Sequence, residues 1–129
     1  MAVEVPILKQ GPYLVASIQS ALTDVGWLKL QDDLLSGVGR YRSRGVIIDL
    51  ASLDVLDSFA TRILRTLAQS LKLRGAETVI VGIQPEVAMA MVQLGLIIRF
   101  EEISTALDLE EGLTLLDEAT GSGEARGVA

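Results

Sequence analysis

An α/β fold built on a mixed, mostly parallel sheet is predicted by three observations. Val46-Ile47-Ile48-Asp49-Leu50 and Thr78-Val79-Ile80-Val81-Gly82-Ile83 are continuous apolar, β-branched runs of the kind covered on both faces. Between them, Phe59, Ile63, Leu64, Leu67 and Leu71 share one helical face from Ser58 to Leu73. Strand, helix and strand over residues 46–83 form a crossover, which makes the two strands parallel with a right-handed connection.

The other elements follow in chain order. Val5-Pro6-Ile7-Leu8-Lys9 and Tyr13-Leu14-Val15-Ala16-Ser17-Ile18, separated by Gln10-Gly11-Pro12, predict a β-hairpin, with Pro6 placing the first strand at an edge. From Asp24 to Tyr41, Leu28, Leu34, Leu35 and Val38 recur at helical spacing, giving a surface helix whose end Gly37 and Gly39 weaken. The helix from Ser58 is the best defined, with Lys72 and Arg74 near its end and Gly75 at the stop position. A third helix is predicted from Pro85 to Leu94, a short edge strand within Leu96–Ile103, and a closing helix over Asp108–Leu116. The small, polar, Gly-rich stretch Ala119–Ala129 reads as a disordered tail, so one domain of residues 3–118 is expected. There is no internal repeat.

Composition excludes several functions. The 129 residues are 50% apolar and 22% charged but only 4% aromatic, so the core is aliphatic. A net charge of −6 with scattered basic residues argues against a nucleic-acid partner and against an anionic membrane surface. The charge-free run from Val87 to Ile98 is too short to span a bilayer, and Glu4, Pro6 and Lys9 interrupt any secretory hydrophobic region. Cytoplasmic residence is the expectation. With no cysteine and no histidine, disulfides, thiolate chemistry, Ser-His-Asp triads and the usual transition-metal sites all fall away. No phosphate-binding glycine loop is present, because Gly37-Val38-Gly39 lies late in a helix rather than after a strand. No cofactor or metal is expected.

What chemistry remains follows the first buried strand. Asp49, Asp54 and Asp57 sit where α/β folds place ligands, and a divalent metal or a small α/β enzyme using these carboxylates is one reading. The structural reading is that Asp49 ends a strand, Asp54 sits in a turn, and Asp57 and Ser58 begin a helix whose unpaired N–H groups their oxygens accept. Within Leu53-Asp54-Val55-Leu56-Asp57-Ser58-Phe59-Ala60-Thr61-Arg62, Ser58 is thus either a helix cap or an accessible phosphoacceptor. A phosphate there gains from the helix dipole while repelling Asp54 and Asp57. On the third helix, Val87-Ala88-Met89-Ala90-Met91-Val92 is apolar on nearly every face. Val87, Met91 and Leu94 suit burial, and Met89 suits a contact with a partner.

The order of elements and the segment Asp54–Arg62 resemble the STAS-domain anti-anti-sigma factors, over nearly the whole ordered chain. Val46-Ile47-Ile48-Asp49, Leu53–Phe59 and Arg74–Ala88, with its Gly82-Ile83-Gln84-Pro85-Glu86-Val87-Ala88 run, look most like the RsbS-type, single-domain scaffolds of the stressosome. That resemblance implies a single, non-enzymatic STAS domain phosphorylated on Ser58 by a switch kinase of the GHKL class. Asp54, Asp57, Thr61 and Arg62 become candidates for kinase docking, with Thr61 a weaker acceptor one turn further on. It further implies homo- and hetero-oligomers with RsbR-type STAS sensors, capture of an RsbT-type kinase that phosphorylation releases, and resetting by an RsbX-type phosphatase. The output would be the general stress response or related signalling. The alternative within the family is a free anti-anti-sigma factor that binds an anti-sigma kinase directly.

Overall fold

The computed structural model describes residues 5–93 and 103–121. β1 (Ile7–Gln10) and β2 (Tyr13–Ser17) form the antiparallel hairpin; β3 (Gly45–Asp49), β4 (Glu77–Val81) and β5 (Ile103–Ala106) then add in parallel, in the order β1-β2-β3-β4-β5. Helices α1 (Asp24–Tyr41), α2 (Ser58–Leu73), α3 (Pro85–Gln93) and α4 (Leu109–Thr120) alternate with the strands after the hairpin.

The pleat of the strands sorts the core into two layers. Leu14, Ala16, Val46, Ile48 and Ile80 face α1, α2 and α3, whereas Tyr13, Val15, Ile47, Val79 and Val81 face α4 and its Leu116. Both faces of β3 are covered, which is why its sequence is apolar without alternation.

α1 keeps its expected bounds and continues through Gly37 to Tyr41, because Leu30, Leu34 and Val38 are buried and the Leu14 Cδ1 sits only 2.9 Å from where a Cβ at Gly37 would be. Two other elements differ from expectation. The closing helix continues to Thr120 rather than ending at Leu116, tied down by the Tyr13 hydroxyl, which donates to Asp117 Oδ1 at 2.6 Å and lies 3.1 Å from Thr120 Oγ1. Residues 119 and 120, expected in the tail, are therefore helical; the rest of that tail beyond Gly121 lies outside the described residues. The edge strand is seen at Ile103–Ala106, so it meets the expected Leu96–Ile103 only at Ile103, and the remainder of that run lies outside the described residues, as does Leu94.

Candidate functional site

Because β2 to β5 run parallel and each is followed by a returning helix, the first turns of all four helices lie at one end of the sheet, beyond the carboxyl ends of these strands. Ser58 is at that end, where the loop from central β3 closes. The loop is held at several points. Leu50 N–H donates to the Val81 carbonyl at 3.0 Å, Asp49 Oδ1 accepts Ala51 N–H at 2.9 Å, and Gln84 Nε2 donates to the Ala51 carbonyl at 2.7 Å. Leu53 and Leu56 are buried as anchors. Gly82 adopts φ 73°, and a Cβ there would lie 2.9 Å from Ala51 Cβ, so the loop passes against backbone that only glycine leaves clear.

Asp57, not Ser58, is the N-cap of α2. Its backbone is extended (φ −87°, ψ 177°) and its Oδ1 accepts Ala60 N–H at 2.8 Å. Ser58 becomes the first helical residue, exposed, with its hydroxyl uncommitted to any hydrogen bond among the described residues. The cap reading and the phosphoacceptor reading therefore separate onto adjacent residues.

The other expected site residues divide. Asp54 and Arg62 are exposed, Arg62 four residues beyond Ser58 and on the same helical face. Among the described residues the ion pairs are Lys29–Asp33 and Lys72–Glu77, so the Arg62 guanidinium is uncommitted. Thr61 must be corrected as a docking residue and as an acceptor. It is fully buried, and its hydroxyl donates to the Asp57 carbonyl at 2.7 Å. The three carboxylates do not converge as a cation site; Asp49 and Asp57 are spent on backbone N–H groups, and no group of three acidic residues among the described residues is placed to hold a metal ion.

Beside Asp57 the structure adds a feature absent from the sequence reading. A shallow cleft of about 70 Å³ is lined by Ala21, Leu22, Trp27, Val55 and Leu56, and Val55 is 66% exposed at its rim. Val55 lies between exposed Asp54 and buried Leu56, and an apolar residue in such a mixed loop carries no clear signal of exposure. On α3, Val87 and Met91 are buried while Met89 and Val92 are exposed, Met89 by 60%.

A model of the STAS domain matches residues 4–111. The chain is 30% identical to the RsbT co-antagonist protein RsbRA of Bacillus subtilis (strain 168) over 92 residues, which are 71% of this chain and 33% of that protein, so it spans about one third of the relative's length. RsbS of Moorella thermoacetica carrying the S58E substitution superposes with a TM-score of 0.78 at 32% identity, covering 91% of this chain and 97% of the other. A chain from the molecular architecture of the stressosome, described as a signal integration and transduction hub, superposes with a TM-score of 0.72 at 31% identity, covering 88% and 97%.

Proposed function

The chain belongs to the STAS-domain family, and on that premise we propose that it is a non-enzymatic scaffold of a cytoplasmic, RsbS-like stressosome, controlled by phosphorylation of Ser58. In the unmodified state it assembles with RsbR-type STAS proteins and holds an RsbT-type switch kinase; phosphate on Ser58 releases the kinase, and an RsbX-type phosphatase restores capture. The observation that carries this reading is the exposed hydroxyl of Ser58 on the first helical position, directly after the capping carboxylate of Asp57. Support comes from the structural likeness to stressosome proteins, from a relative named as a co-antagonist of RsbT, and from a relative whose substitution replaces a serine by an anionic residue.

The chemistry of the switch is electrostatic. Phosphorylation adds about −1.5 to −2 charges and three acceptor oxygens. At the head of α2 these meet unpaired N–H groups and the helix dipole, so the helix keeps its fold. The same charges stand beside Asp57 and near Asp54, and any docked surface covering Val55 and Ser58 must then desolvate them. A coupling of about 1–3 kcal/mol is enough to change kinase affinity roughly 5- to 150-fold.

Size-exclusion chromatography of the chain with an RsbT-type kinase tests the scheme. Wild type and Ser58→Ala co-elute with the kinase and Ser58→Asp does not; equal capture by both variants overturns it.

A further inference from the structure

The end of the sheet opposite Ser58, where the parallel strands begin, carries the reverse charge. Where α1 and α2 end and β3 begins, Arg42, Arg44 and Arg74 line a cleft of about 380 Å³, with Ser43 and Gly39 in its wall, and Arg40 adjoins it. In a chain of net charge −6 such a gathering of one sign needs a reason. None of these guanidiniums takes part in an ion pair among the described residues.

Basic side chains near helix C-termini complement the dipole, and this accounts for a cation at each helix end. It does not account for two further features. Ser43 is only 5% exposed, yet its Oγ is buried without a hydrogen-bond partner, in a position where a polar atom normally has one. Arg42 adopts φ 51°, the one positive φ at a non-glycine residue among those described, at a helix end where glycine is the favoured occupant. The nearby backbone donors are used within the fold: Ser43 N–H donates to the Val38 carbonyl at 3.1 Å, Arg44 N–H to Pro12 at 2.8 Å and Gly75 N–H to Lys72 at 3.0 Å. The groups left to act are three guanidiniums and one hydroxyl.

We infer that this cleft binds the phosphate end of a small anionic ligand carrying at least two negative charges, with the Ser43 side chain turning to another staggered rotamer so that its Oγ donates a hydrogen bond, and Arg42, Arg44 and Arg74 clamping the oxygens. Guanidinium matches phosphate oxygens in a bidentate fork, and a single carboxylate needs only one such partner. The cleft volume falls in the range of small-molecule sites and exceeds a bare phosphate, so an organic portion is accommodated. The site is separate from Ser58 and stands without the kinase reading.

Amide-resolved NMR of the full chain, titrated with inorganic pyrophosphate and separately with ribose 5-phosphate at about 0.15 M ionic strength, tests it. Both anions shift the amides of Ser43, Arg44 and Gly75, and tighter binding of ribose 5-phosphate assigns the remaining volume to an organic group. Ser43→Ala and Arg74→Gln each weaken binding by about tenfold, the loss expected for one charge-assisted hydrogen bond. Arg42→Gly is the decisive variant, because glycine suits the left-handed backbone: it raises the melting temperature while lowering affinity about tenfold. Absence of shifts with both anions, or shifts that Arg42→Gly leaves unchanged, overturns the site.

Discussion

The carbonyl oxygen of Asp57 accepts the hydroxyl of Thr61 at 2.7 Å, while the Asp57 carboxylate accepts Ala60 N–H at 2.8 Å. One residue thus closes the first turn of α2 from both its backbone and its side chain. Everything exposed at that turn, Ser58 above all, is displayed on a start that Asp57 holds.

Removing the cap should therefore loosen the site. Asp57→Ala is expected to lower stability by about 0.5–2 kcal/mol in chemical denaturation, and Asp57→Asn by much less, because the amide oxygen still accepts Ala60 N–H. Asp57→Asn also removes a charge beside Ser58 while leaving the helix start intact. Kinase affinity that follows charge separates from stability in this pair.

Thr61 is expected to be inert as an acceptor in the folded chain. Thr61→Val keeps the buried shape and loses one hydroxyl hydrogen bond, at a cost of about 0.5–1.5 kcal/mol. Phosphorylation of Ser58 in this variant proceeds as in wild type, measured by the rate of phosphate incorporation.

Arg62 is expected to pair with phosphate on Ser58, one turn earlier on the same face. In the phosphorylated chain, a ³¹P titration then gives a lower second phosphate pKa with Arg62 present than in Arg62→Gln. The variant moves it upward because the cation that favoured the dianion is gone, starting from an ordinary value of about 6. An identical titration in both proteins shows that the guanidinium does not reach the phosphate.

Gly82→Ala tests how the loop is positioned. The new methyl meets Ala51 Cβ at 2.9 Å on a backbone with φ 73°, so a loss of about 1–3 kcal/mol is expected. Hydrogen exchange of the Leu50–Leu56 segment should rise with it, since Ala51 is also the acceptor for Gln84.

Much of this architecture is legible in the residues. Both bounds of α2 and of α1 stand where the periodicity places them, since stripes such as Leu64, Leu67 and Leu71 have no other way to be buried. β5 was less legible. It has one buried residue, Ile103, followed by exposed Ser104 and Thr105, so the apolar run upstream carried the stronger strand pattern. The extension of α4 to Thr120 depends on Tyr13, more than a hundred residues away, and no local pattern encodes such a contact.

At the site, residue preference placed a helix start at Asp57-Ser58 but did not divide the roles between them. The division needed the backbone of Asp57. Thr61 reads as a docking candidate because it is polar and close to Ser58; its burial follows from helical spacing, which sets it on the buried stripe with Leu64, Ala68 and Leu71.

The central claim is tested most directly by mass spectrometry after incubation with ATP and an RsbT-type kinase, comparing wild type with Ser58→Ala. Ser52, Ser58 and Thr61 share the tryptic peptide between Arg44 and Arg62, so fragmentation must assign the position. A single phosphate on Ser58, absent from the variant, is the predicted result; phosphate on Ser52 or Thr61, or none at all, contradicts the account.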